Sequence, residues 1–285
     1  MRIVIIGKNS YIGGYIKNYL TSFGHEVYEF DIEHNELNET IFENVDSVIH
    51  VAAIVHRKDI KDYKIYKKIN TDLPYKVAQL AKANGVAQFV FLSSMAVYKQ
   101  DKSLKGNWLD EHSECNPQSL YGKSKYEAEL LLNSLSEANF KICHIRPANV
   151  YGKNCRGAYM ESFRKIVQRL PCIPVAYENV KQGMLYIENL VELVKLIVEN
   201  KAEGIYPAQD KTAVSSVELM EEIAKSITVK NKKSRFLGIP FKIFRISVVK
   251  KLYGGVAYTR EYATTQLGDY CLYDFSQGIQ KTFSK

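Results

Sequence analysis

Arg2-Ile3-Val4-Ile5-Ile6-Gly7-Lys8-Asn9-Ser10-Tyr11-Ile12-Gly13-Gly14 runs from a short apolar stretch through a glycine turn into a helical pattern that carries Ile12, Ile16 and Leu20 on one face. A strand that is apolar along its length has no solvent side, so it predicts a parallel sheet covered on both faces. The rhythm recurs downstream. Val27-Tyr28-Glu29-Phe30, Val48-Ile49-His50-Val51, Phe89-Val90-Phe91-Leu92 and Ile142-Cys143-His144-Ile145 read as further strands. Helical patterns cover 11–23, 73–84, 121–138 and 187–200. Strands alternating with helices predict an α/β protein with a doubly wound parallel sheet. Beyond Gly152 the prolines Pro171, Pro174, Pro207 and Pro240 shorten the elements. The expected division is a sheet domain over 1–152 and a smaller C-terminal α/β region over 153–285, with some of its elements returning to the sheet.

Composition narrows the class. The 285 residues are 46% hydrophobic and 25% charged, ordinary for a globular chain and unlike disordered or fibrous sequences. No apolar run approaches the ~20 residues of a membrane span, and the opening is too short for a secretory signal, so a cytosolic protein is expected. Cys115, Cys143, Cys155, Cys172 and Cys271 form no metal-type cluster and are expected to be reduced. The net charge of +8 suits a phosphate-bearing small molecule. A nucleic-acid binder would show a basic stripe with stacking or groove-reading elements, and no such motif occurs. Basic residues do thicken between Lys225 and Lys251, with Phe236, Phe241 and Phe244 interleaved. That stretch reads either as a membrane-surface segment or, preferably, as an amphipathic helix packed on the C-terminal region.

The opening turn has chemistry of its own. A glycine-bearing loop between a first strand and a first helix leaves free N–H groups at the helix N-terminus, where a dinucleotide pyrophosphate can rest. Gly7, Ser10, Tyr11 and Ile12 are the candidate contacts, with Ser10 standing where a GxxGxxG loop has its middle glycine. Asp31, ending the second strand, is placed to take the adenosine ribose hydroxyls and repel a 2′-phosphate, which favours NAD. Lys8 could pair with that phosphate, so NADP stays possible.

Tyr121-Gly122-Lys123-Ser124-Lys125 sets a tyrosine and a lysine one turn apart on a helix face. An ammonium near the phenol favours phenolate, giving a general acid/base for a sugar hydroxyl. Ser93 and Ser94 close an apolar strand at its carboxyl end, where open α/β sheets place ligands. Either could hydrogen-bond the reacting oxygen.

In that order the motifs resemble the extended short-chain dehydrogenase/reductases, within them the nucleotide-sugar epimerases, reductases and dehydratases. The likeness runs through the glycine loop, His50-Val51-Ala52-Ala53, Asn70, Ser93-Ser94-Met95-Ala96-Val97-Tyr98, YGKSK, Arg146-Pro147-Ala148-Asn149-Val150-Tyr151-Gly152 and Tyr186-Ile187-Glu188-Asn189-Leu190. It implies a Rossmann-type domain, NAD as cofactor, and Ser94, Tyr121 and Lys125 as catalytic residues, with Lys125 also holding the cofactor ribose. It further implies cofactor contacts from Ala52, Ala53, Asn70 and Pro147, and a homodimer joined through two helices, one of them 121–138. Met95 and Asn149 are implied on the substrate side.

Departures from the pattern carry expectations too. A serine forced to φ > 0 at position 10 would cost of order 1 kcal/mol, so a shifted loop is expected. The separate third strand of the family is expected to be merged or missing. Lys181 substitutes for a phosphate-binding arginine, whereas Lys165 is expected to be a solvated helix residue. Members that eliminate water carry Asp-Glu directly after the catalytic hydroxyl; Met95 and Ala96 here cannot transfer protons, which disfavours dehydration. No cysteine follows Ser94, which disfavours the bifunctional 3,5-epimerase/reductase type. Two reactions remain. C4 epimerisation of a UDP-linked sugar is favoured. The alternative is NAD(P)H reduction of a UDP- or dTDP-4-keto-6-deoxy sugar, towards which Ile54-Val55-His56 and the stretch 152–190 lean by resemblance to quinovosamine-type reductases. A non-catalytic NAD-binding scaffold would usually have lost the tyrosine.

Overall fold

The opening apolar run forms strand β1 (Arg2–Ile6), and its residues alternate between two cores. Ile3 and Ile5 pack with Ile16 and Leu20 of α1 (Tyr11–Ser22), while Val4 and Ile6 face the opposite cluster. This computed structural model describes residues 1–55, 59–99, 104–155, 158–243 and 247–284. His56 and Phe244, named above, lie outside the described residues.

Strands β2 (Glu26–Phe30), β3 (Ser47–His50), β4 (Gln88–Leu92) and β6 (Lys141–Pro147) join β1 in register as parallel neighbours. Between β3 and β4 run α2 (Tyr63–Lys67), a π-type turn over Lys68–Asp72 and α3 (Leu73–Ala83). The short β5 (Asn107–Leu109) and α4 (Leu120–Asn133) precede β6. α4 is shorter than the expected 121–138, because the chain turns back through a Glu137–Phe140 bridge to enter β6.

After β6 the chain leaves the sheet for β7 (Asn149–Tyr151), α5 (Ala158–Arg169), β8 (Cys172–Pro174) and β9 (Met184–Tyr186). It returns with α6 (Ile187–Glu199), packed against α1, and β10 (Gly204–Ala208), parallel to β6. The six strands lie in the order β10-β6-β4-β3-β1-β2. β2 is therefore an edge strand, and among the described residues no separate strand lies beyond it, as expected. The rest comprises α7 (Ser216–Ser226), β11 (Lys232–Ser234) paired with β8, α8 (Arg235–Ile243), α9 (Ser247–Tyr253), β12 (Val256–Tyr258) paired with β5, and α10 (Phe275–Phe283). The strand order reverses between β1 and β3, and a crevice opens there at the carboxyl ends of the strands.

Candidate active site

The loop after β1 builds one end of this crevice. Gly7 adopts φ 125°, and a Cβ there would stand 2.9 Å from the Ala52 amide nitrogen, so the close approach of the two loops requires glycine. The left-handed residue of the loop is Asn9, at φ 63°. Ser10 is spared a positive φ by this shifted loop: it sits at φ −65° and caps α1, its Oγ accepting from Gly13 N at 3.3 Å. Asparagine tolerates the strained position and serine is a favoured N-cap, so each residue suits its place. The Tyr11 and Ile12 amides that follow are first-turn groups without intrahelical acceptors.

Two cavities of about 780 and 580 Å³ meet across Asn9, Ser10, Val51 and Ala53. The first has Gly7, Lys8, Asp31 and Ala52 on its wall; the second has Tyr11, Ile12, Ser94, Met95, Tyr121, Lys125, Pro147 and Asn149. Together they form one trough whose volume suits a dinucleotide with a substrate at its inner end. The Tyr11 hydroxyl itself is buried away from the cavity, where a Cβ on Gly152 would stand 2.7 Å from it. A glycine cradle and a helix N-terminus both fit a phosphate-bearing cofactor. Asp31 shares its carboxylate with the turn after β2: Oδ1 accepts from the amides of Glu33 and His34, and the His34 ring lies 3.0 Å away. Those bonds hold it below the usual carboxylate range, so it is anionic at the adenosine end.

Tyr121 and Lys125 come from the first turns of α4, capped by Ser119. Gly122 explains their placement: a Cβ there would lie 2.2 Å from the Ala96 carbonyl oxygen, so only glycine lets α4 press against the turn that follows Ser94. The phenol is pushed up to about 12 by burial, and the Ser94 hydroxyl pulls the other way. Lys125 does not act on it in the manner expected. Its Nζ donates to the Leu92 carbonyl at 2.8 Å and lies 4.3 Å from the centre of the Phe91 ring, and burial lowers it from 10.5 to about 7. The reason is local: its head enters the space beneath the end of β4, so Ser94 is the neighbour that favours phenolate.

Both serines border the inner cavity, and the structure separates their hydroxyls. Ser94 lies at the cleft and accepts from Ala96 N at 3.1 Å. Ser93 turns inward and donates to buried Glu129, which also takes a two-pronged ion pair from Arg146. The Arg146 guanidinium lies 4.9 Å from the Tyr98 ring centre and donates to its hydroxyl. This buried network bolts β4, α4 and β6 together behind the catalytic wall, and sequence reading missed it. Arg146 within an apolar strand, with a Glu one turn after Lys125, was the available signal.

Two expected contacts are placed elsewhere. Asn70 is fully buried, and its amide is committed to both backbone groups of Ile54 and to Ser124 Oγ, so it braces the loop after β3 against α4. Lys181 is held by both carboxylate oxygens of Glu218, at 2.6 and 2.8 Å, and lines neither cavity. Glu218 is fixed by the capping box of α7, which draws the lysine away from the cleft. Lys165 is solvated beside Glu161, as expected. Asn149 lines the inner cavity with its amide donating to Gly183 O. The five cysteines are free, and no metal-binding cluster occurs among the described residues. Among them, too, no helix is long and apolar enough to cross a membrane.

Comparison with known proteins places this geometry. The N-acetyl-alpha-D-glucosaminyl-diphospho-ditrans,octacis-undecaprenol 4-epimerase of Escherichia coli O157:H7 is 27% identical over 276 residues, spanning 88% of this chain and 81% of that one. The UDP-glucuronic acid 4-epimerase of Bacillus cereus, solved with NAD, shares the fold at TM-score 0.76 and 17% identity over 99% of this chain and 95% of that one. A dTDP-4-dehydrorhamnose reductase of Clostridium acetobutylicum does so at TM-score 0.76 and 21% identity over 99% and 98%. A sequence profile matches residues 3–208, from β1 to the last strand of the sheet, and by that match the chain belongs to the NAD dependent epimerase/dehydratase family.

Proposed function

We propose that this protein is an NAD-dependent 4-epimerase of a UDP-linked sugar, with Ser94, Tyr121 and Lys125 as its catalytic residues. The observation that carries the reading is the single cleft wall on which Ser94, Tyr121 and Lys125 converge while Met95 and Ala96, neither able to move a proton, follow the serine. The cofactor would lie from Asp31 across Gly7, Ser10, Tyr11, Ile12, Ala52 and Ala53 to Pro147, with NAD favoured over NADP by the Asp31 charge. When bound it supplies the two-electron acceptor for the C4–H bond and returns the pair to the other face of the sugar.

The chain supplies the proton chemistry. With its own proton first released from the filled site, Tyr121 Oη takes the O4 proton as the hydroxyl becomes a ketone, and gives it back when the ketone is reduced. Ser94 Oγ hydrogen-bonds the same oxygen, and Lys125 becomes a cationic anchor once ligand hydroxyls give its remaining N–H groups partners. Asn149 and Met95 border the sugar. Lys181, bound to Glu218, leaves the diphosphate to other groups. The elements outside the six-stranded sheet after residue 152, α6 excepted, form the substrate-binding region in this reading. The protein is proposed to act in the cytoplasm as a homodimer paired through α4, whose Leu130 and Leu131 are exposed.

Incubation with UDP-N-acetylglucosamine or UDP-glucose should yield the C4 epimer with no net appearance of NADH. The competing outcome is no epimerisation and stoichiometric NAD(P)H consumption with a dTDP- or UDP-4-keto-6-deoxy sugar, in keeping with the likeness to the rhamnose-pathway reductase fold. That result would keep the three residues and change the reaction.

A further inference from the structure

Positions 230–251 hold eight basic residues and no acidic one, so the whole formal charge of +8 resides in this run and the remainder of the chain balances to zero. Within it, α8 turns Gly238 inward so tightly that a Cβ would meet Val175 O at 1.9 Å, and Phe241 lies beside it on the inner side. At 100° per residue the opposite arc carries Phe236, Ile239, Pro240 and Ile243, with Arg235 and Lys242 along one edge. Phe236, Ile243 and Ile239 are 77%, 66% and 48% exposed. A helix that shows water its large apolar residues and flanks them with cations has the makeup of an interfacial helix.

We propose that this face of α8 docks the protein on an anionic lipid surface. Charge complementarity selects the occupant. A second copy brought by two-fold symmetry would set the same cationic run against itself. A nucleic acid would meet the cations and leave Ile239, Pro240 and Ile243 in water. A bilayer with anionic headgroups takes both, the apolar arc entering the acyl boundary and the Lys and Arg heads staying among the phosphates. Among the described basic residues of the run, only Lys233 has a carboxylate at ion-pair distance, Glu221 at 3.0 Å. The others are free to serve a surface. Phe236 and Ile243 line neither cavity, so docking and turnover separate.

The test is cosedimentation of the full chain with phosphatidylcholine vesicles, with and without phosphatidylglycerol. Binding should rise at least ~10-fold with the anionic lipid and fall at high salt. Phe236→Glu with Ile243→Glu should reverse that gain while leaving the melting temperature and the conversion of a soluble UDP-sugar unchanged; Lys242→Glu should weaken it. Equal binding to neutral and anionic vesicles would overturn the proposal. So would binding that the double variant leaves intact, or a variant-sensitive dimer or RNA complex with no vesicle binding. Vesicle binding is read without turnover, so its failure leaves the reaction's own test standing.

Discussion

Replacing Lys125 by methionine removes a fully buried amine whose surroundings penalise its charge. Burial takes it from 10.5 to about 7, and against that it donates a hydrogen bond to a neutral acceptor, Leu92 O. A gap of that size disfavours the ammonium in the folded protein by about 5 kcal/mol at low pH. In the unfolded chain the lysine keeps its proton up to its ordinary value. Between about pH 7 and 10.5 the unfolded state therefore binds more protons, and wild-type stability rises with pH across that window. By the same linkage the penalty is about 5 kcal/mol at pH ~6 and about 2 kcal/mol at pH ~9. Methionine escapes it but leaves the Leu92 carbonyl without its donor, a loss of about 1–3 kcal/mol. The variant without ligand should be more stable than wild type by about 2–3 kcal/mol near pH ~6, with a melting temperature higher by roughly 5 °C. It should lose that advantage by pH ~9. Thermal unfolding of both proteins across this range is the assay. An advantage that does not vary with pH, or a variant less stable near pH ~6, would refute the assignment of Lys125 as a strained buried cation. The same variant should bind NAD more weakly and turn over more slowly, because the group costly to the empty fold is the one proposed to hold the ribose.

Tyr121→Phe should keep the melting temperature and cofactor affinity but lose at least ~10²-fold in turnover, since only the proton-transfer atom goes; activity within threefold of wild type would remove Tyr121 from its role. Gly122→Ala forces a Cβ into the Ala96 carbonyl at 2.2 Å and should cost roughly 1–3 kcal/mol as α4 backs away from the Ser94 turn, with turnover falling more than cofactor affinity. An unchanged melting curve would mean that the packing is looser than described. Asp31→Ala should narrow the preference for NAD over NADP measured by direct binding, and a wild type that prefers NADPH would point to Lys8 instead.

Much of the frame is legible in the order of the residues. Both-sided apolar runs predict the parallel sheet, and β1, β2, β3, β4 and β6 fall on the expected segments. The spacing of Tyr121 and Lys125 is local to one helix, so their neighbourhood follows from periodicity. The shortened end of α4 is less visible, because β-bridge pairing between Glu137 and Phe140 stops the helix and no strong breaker marks it.

The sequence by itself determined the class of sheet, the glycine turn at a helix N-terminus and the order of motifs along the chain, because each depends on neighbours within a few residues. Only the tertiary structure decided which serine hydroxyl is left for the cleft, since that of Ser93 is drawn inward by Glu129 from another element. It also decided that Lys181 answers to Glu218, that Asn70 braces a loop, and that Lys125 points under β4. In each case a polar side chain had several partners it could satisfy. The choice among them was made by groups far away in sequence, brought within hydrogen-bond reach when the sheet and its helices packed.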